Sequence, residues 1–228
     1  MCCKLGNLSD ANVLLRKYRD DLFFCMYVET VAEESWKKEN FGDDYLGIVS
    51  WLKNELENLQ FSSVLKQIGN LPILKDAPKK VSSGTTVWVK QIGNLPILKD
   101  AVKRYNLQSM FNKIGKTLNN YVHANGIVFY NKLYNRYKDK EFEAESTNLV
   151  ENLNYITITF VFLRALYTPI SIMSTDHIDY LELGESPPED SQYWVEPFIT
   201  DFFLKHKDIL DEDCMNYIKN VTDMQLLG

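Results

Sequence analysis

The sequence predicts an all-α, multi-helix bundle with long antiparallel helices. Three observations predict it. Most apolar residues recur at steps of three and four and do not alternate. Polar helix-start residues and Gly, Asn or Pro stops bracket those runs. The apolar share of 45% can build a core, and the charged share of 25% is ordinary for a globular surface. A chain of 228 residues buries roughly 70% of the surface its unfolded form exposes. One domain over 1–228, with no disulfide staples, is therefore expected.

Taken in order, Ser9 and Asp10 read as the start of a long helix over 10–38. Leu15, Tyr18, Leu22, Cys25 and Val28 form its apolar stripe, and Arg16, Arg19, Asp20 and Glu33 its charged face. A second helix runs from the Gly42-Asp43-Asp44 start to about 59, with Ile48, Leu52, Leu56 and Leu59 as its stripe. A third spans about 106–124 and stops at Asn125-Gly126. A fourth covers about 127–138. The charged stretch 138–145 is either a loop or a solvated first turn. A fifth helix runs from about 143 to 167, with Pro169 near its end. Two terminal helices follow, about 194–207 and 211–226.

The segment 61–104 breaks the pattern. KQIGNLPILKDA occurs at 66–77 and again, letter for letter, at 90–101. Two copies are too few for a solenoid, which generally needs three or more units. Removing 66–89 leaves FSSVLKQIGNLPILKDAVKRYN unbroken, so the region 66–101 reads as a duplication inserted in a loop region. Each copy carries a Gly-Asn, Leu-Pro turn signal ahead of a short helix. Val87-Trp88-Val89 is β-prone.

Composition narrows the function classes. A net charge of −6 argues against a broad nucleic-acid surface, which needs clustered Lys and Arg. Eight basic residues between Lys66 and Arg104 could form a local patch, although a solvated face is the blander reading. The four cysteines make no C-x-x-C pair, Cys25 reads as a buried thiol, and the pattern suits a reducing cytoplasm. Cys2-Cys3 has no lipidation motif around it. No signal peptide is visible. The most membrane-like stretch, 152–173, is cut by Arg164 into uncharged runs of 12 and 11 residues, short of the roughly 20 a span requires. It reads as a buried core helix.

No complete catalytic set is visible. There is no phosphate loop, no G-x-G-x-x-G, no H-E-x-x-H and no G-x-S-x-G. No metal site or cofactor is expected. The best candidate is His123, in KTLNNYVHANG. On a helix, Lys116, Asn119, Asn120 and His123 share a polar face, while Phe111, Ile114, Leu118 and Val122 share an apolar one. An imidazole there could act as a general acid or base near neutral pH. The blander reading is a capping histidine that bonds the last carbonyls.

The first long helix, NVLLRKYRDDLFFCMYVETVAEES, together with the helix ending in LNNYVHANG, resembles the HEPN-like helical bundles of prokaryotic toxin–antitoxin and phage-defence systems. The likeness covers the layout of about 10–180. Catalytic members of that family are metal-independent ribonucleases that use an Arg, usually a following Asn, and a His about five residues after the Arg. Here Asn119 and His123 match, but Leu118 stands where the Arg belongs. The family mechanism implies a cation beside the His to stabilise charge on the scissile phosphate. A leucine cannot supply it, and the periodicity makes Leu118 a core residue. Lys116, Arg104 or Arg164 would have to bring the charge from elsewhere.

Elsewhere, His177 in STDHID stands beside Asp176, Asp179 and Glu182, a set that could hold a divalent metal. The same letters also read as an ordinary helix start. His206 reads as a surface residue. Tyr193 and Trp194, next to the acidic 185–190 loop, are either interface anchors or packing for the terminal helices. The resemblance implies a cytoplasmic, non-catalytic accessory or regulatory subunit that contacts protein partners, with a homodimer as a further expectation. The alternatives are an endoribonuclease using His123, with RNA as substrate, or an unrelated helical interaction module.

Overall fold

The computed structural model describes residues 7–37, 39, 41–53, 96–122, 139–185, 195–210 and 213–222. In chain order they form α1 (Leu8–Lys37), α2 (Asp43–Leu52), α3 (Pro96–Arg104), α4 (Leu107–Val122) and α5 (Asp139–Tyr167). A 3-10 turn (Pro169–Ile172), α6 (Thr175–Glu182), α7 (Pro197–Lys205) and α8 (Asp213–Thr222) complete the set. Among the described residues there is no strand, only one isolated antiparallel bridge between Met173 and Val195. The chain is helical throughout its described part. The expected helix over 127–138, the first repeat copy at 66–77 and the β-prone 87–89 lie outside the described residues.

The core of the bundle is three helices, and pairs of contacts fix their directions. Arg19 lies against Gly115 and Phe23 against Phe111, so α1 and α4 run antiparallel. Tyr121 bonds Glu145 and Phe111 packs on Tyr155, so α4 and α5 run antiparallel as well. Tyr18 meets Thr157, Glu29 pairs with Arg164 and Tyr167 bonds the Thr30 carbonyl, so α1 and α5 run parallel. The expected antiparallel arrangement therefore does not describe the two longest helices. The reason is connectivity: α4 is the return leg that carries the chain back between them.

Apolar burial explains why these helices meet. Phe23 stacks edge-on against Phe111 at 4.6 Å and against Phe160 at 6.1 Å, at the centre of the three-helix contact. Such aromatic pairs add roughly 0.5–1.5 kcal/mol beyond their area burial. Tyr155, Ile156, Ile158, Phe162, Leu163, Ala165 and Leu166 bury the C-terminal half of α5. By length and composition α5 is the one described helix that could cross a membrane, yet half of that apolar window is buried inside the protein. It is a core helix, as its sequence predicts.

The second repeat copy is part of this core. Its Leu98 and Ala101 are fully buried in α3, which packs on α4 and α5. The residues just after the repeat lock α3 in place. Tyr105 stacks on Phe162 at 5.0 Å and on Tyr217 of α8 at 6.0 Å. Arg104 pairs with Asp213 and lies over the Tyr217 ring.

Several boundaries differ from the sequence-based expectation. α1 begins at Leu8, because the Asn7 side chain accepts a hydrogen bond from the Asp10 backbone N–H at 3.1 Å and so caps the helix. α5 already includes 139–145, so the described part of the charged stretch is helical. α7 begins at Pro197, whose missing N–H costs nothing in the first turn. On α1 the buried line is Leu8, Ala11, Leu15, Arg19, Phe23, Met26 and Thr30. Tyr18 and Cys25, expected inside, are exposed, and Arg19, expected outside, is buried. Two helices grip α1 from different sides, so its buried surface is wider than one stripe and turned away from the predicted one.

Candidate functional site

The polar face of α4 is the candidate site. Leu107, Phe111, Ile114, Gly115, Leu118 and Tyr121 form its buried face, at the three- and four-residue spacing of a core-facing helix. Leu118 is 0% exposed. It is a core residue, as periodicity requires. Val122, placed on the same face by periodicity, is instead exposed. Lys116 is exposed, and Asn119 and Asn120 are half-buried. The Asn119 Oδ1 is shielded from solvent and accepts no hydrogen bond among the described residues. His123, Tyr193 and Trp194 lie outside the described residues.

Of the three cations named from sequence, Lys116 stands one turn before Asn119 on the same helix and is exposed, while Arg164 and Arg104 stand far from it. Arg164 sits beside Glu29 at 3.1 Å, over the Phe160 ring. Following the α1–α4 register, Asn119 stands level with Leu15. At a rise of 1.5 Å per residue, Glu29 and its Arg164 partner are then about 20 Å further along α1. Arg104 precedes α4 altogether and is bound to Asp213. Twelve helical residues from Leu107 to Asn119 put it roughly 18 Å away.

Two further cations nearby are ones that the sequence reading assigned to solvent. Arg19 is 1% exposed, and a Cβ placed on Gly115 would meet its Nη1 at 3.1 Å. Gly115 leaves room for the guanidinium. Arg19 donates to Asp20 Oδ1 from Nε at 3.0 Å and from Nη2 at 2.8 Å. Arg16, one turn earlier and level with Leu118, reaches the other Asp20 oxygen at 3.6 Å. Burial pulls the Arg19 guanidinium below its ordinary value, and the Asp20 charge opposes that pull. Two arginines thus share one carboxylate, and one of them, Arg19, lies against Gly115 of α4. A signal for this existed in the sequence: a lone Gly inside a strongly periodic helix usually marks a close approach.

The remaining histidines are structural. His177 is buried, and its backbone N–H donates to Ser174 Oγ at 3.3 Å, so Ser174 caps α6. Burial lowers its imidazole below the ordinary value, favouring the neutral form. Asp179 and Glu182 are exposed on the same helix and do not converge with it. Among the described residues no three His, Cys, Asp or Glu side chains cluster as metal ligands would. His206 is half-buried, not at the surface as expected, because its ring packs on Phe202 at 4.9 Å.

The geometry of this site is a polar helix face beside two arginines that share one carboxylate. Comparison with protein-family models, with curated proteins and with solved structures finds no match to this chain.

Proposed function

We propose that this chain is a non-catalytic, HEPN-like helical accessory or regulatory subunit of a prokaryotic defence or toxin–antitoxin complex. It acts in the cytoplasm through protein–protein contacts and needs no cofactor. The observation that carries this reading is the environment of Leu118. The residue in the place of the family's arginine is fully buried, so that position presents no cation to a phosphate. Lys116 on the same helix is exposed, and Arg16 and Arg19, the α1 cations nearest by register, are both tied to Asp20. A phosphate would have to displace that carboxylate to gain their charge.

One observation favours a second reading, a metal-independent endoribonuclease built on His123. Arg19 lies against Gly115, one turn from Asn119, and Arg16 stands level with Leu118 on α1, so a displaced cation has a source there. Incubating the purified chain with structured and single-stranded RNA, beside His123→Ala and Arg16→Gln, separates the two. The proposal expects no cleavage above a buffer control. Cleavage that both substitutions abolish would overturn it in favour of the nuclease.

A further inference from the structure

The proposed role requires a contact surface, and the N-terminal half of the α1–α5 seam is the strongest candidate. The Tyr18 hydroxyl meets Thr157 Oγ1 across the seam at 3.2 Å. With the two helices parallel, Leu14 stands level with Leu153, one turn before that contact. Leu14 is 57% exposed, Val150 53% and Leu153 41%. Four exposed apolar or aromatic side chains, counting Tyr18, therefore border one groove. Towards the other end the same seam is closed by the Arg164–Glu29 pair and the bond from Tyr167 to Thr30. Exposed leucines scattered singly need no explanation, but a cluster along one inter-helix groove does.

The charges around the groove select its occupant. Asp10 lies one turn before Leu14 on the same face of α1. Glu143 lies two turns before Val150 on the same face of α5, and Glu151 adjoins Val150. All three are exposed. Lys17, one turn after Leu14, is paired with Asp21 at 2.7 Å and adds no net charge. The rim is thus acidic on both helices. A second copy of this chain would set acid against acid, as would any acidic partner.

We propose that this groove docks an amphipathic helix of a partner protein, with apolar anchors at three- and four-residue steps and lysines or arginines beside them. Two parallel helices with a row of apolar side chains on each form the usual receptor for such a helix. The inference rests on the protein-contact reading above but not on the absence of nuclease activity.

The test uses the full chain and a synthetic 18-residue helical peptide of leucine and lysine, with leucines on one face. Fluorescence anisotropy is read against a peptide of the same composition with the leucines scattered, and against a leucine–glutamate peptide. Tight binding is expected for the amphipathic basic peptide alone. Leu14→Ser with Leu153→Ser should weaken it at least tenfold, and so should Glu143→Lys with Glu151→Lys. All four positions are exposed, so unchanged circular dichroism is expected for both variants. Equal binding by the scattered peptide, or by the Leu14/Leu153 variant, would overturn the proposal, since the attraction would then be charge alone. So would a dimer in sedimentation that the Leu14/Leu153 variant dissolves, because a second copy would then own the groove. Failure here with no RNA cleavage leaves the accessory reading standing; RNA cleavage with binding intact removes that reading alone.

Discussion

Substituting Gly115 by Ala isolates the contact between α1 and α4. In an unobstructed helix interior this change stabilises by about 1 kcal/mol, because alanine is the better helix former. Here the new methyl would sit 3.1 Å from Arg19 Nη1, tighter than a comfortable contact by a few tenths of an ångström. The guanidinium cannot retreat freely. It is buried, and two hydrogen bonds hold it to Asp20. Overpacking a filled site costs about 2 kcal/mol, so Gly115→Ala is expected to destabilise by about 1 kcal/mol net. Replacing Arg19 by Met first removes the obstacle and leaves Asp20 beside Arg16. In that background Gly115→Ala should regain its ordinary benefit of about 1 kcal/mol. The coupling between the two sites is then about 2 kcal/mol, well above the few tenths that independent positions show. Urea unfolding followed by circular dichroism, on all four proteins of the cycle, measures it. Coupling below about 0.5 kcal/mol, or a wild-type background in which Gly115→Ala stabilises, would refute the packing argument.

Three further outcomes follow from other parts of the fold. Deleting 66–89 keeps Leu98, Ala101 and Tyr105 in their places and shortens the stretch between Lys53 and Pro96 from 42 to 18 residues. The core that these residues form is retained, so the thermal midpoint should stay within about 3 °C of the wild type; loss of folding would show that the first copy is needed. Leu98→Ala, in the second copy, should cost about 3 kcal/mol as a fully buried truncation, visible as a midpoint drop of about 8 °C; a drop under 2 °C would mean that α3 does not depend on this side chain. The buried His177 gives an acid sensitivity. Its native pKa lies below the ordinary 6.5, so the unfolded chain protonates first as pH falls. This contribution is complete above about pH 6.5 and is lost below it, down to the native value. Urea midpoints at pH 7.5 and 5.5 should fall further for the wild type than for His177→Leu, and equal declines would count against the assignment.

The helical class and the main helices were legible because periodicity reports burial wherever one face decides it. Leu118 is the clearest case: Phe111, Ile114 and Leu118 share a face, and all three are buried. The same logic failed on α1, which two helices grip from different sides. A charged side chain was read as solvent-facing there, although Arg19 can enter a core when a glycine makes room and an aspartate accompanies it. Asn7 was missed as the cap because Ser9 and Asp10 offered the same chemistry two residues later. Helix direction was not legible either, since nothing in the local pattern of α1 or α5 records that α4 runs back between them. Of the candidate site, the sequence placed Asn119 and Asn120 on a polar face. It did not place Arg16 and Arg19 against that helix, because their nearness depends on the pairing of distant segments.

The parallel pairing of α1 with α5 has a consequence for the order in which the molecule is made. Tyr18 and Thr157 are 139 residues apart, and Thr30 and Tyr167 are 137 apart. A ribosome adding residues at roughly 5–20 per second takes on the order of 10 s to supply the second partner after the first has emerged. During that interval α1 is a nascent amphipathic helix with Phe23, Met26 and Tyr27 uncovered and Arg19 still hydrated. α2 is the first neighbour to be made, and α4, whose glycine receives the guanidinium, follows it. Closure of the bundle therefore waits until α5 has been made, and the newborn chain is most open to holdase chaperones and to aggregation just before Tyr167 leaves the exit tunnel.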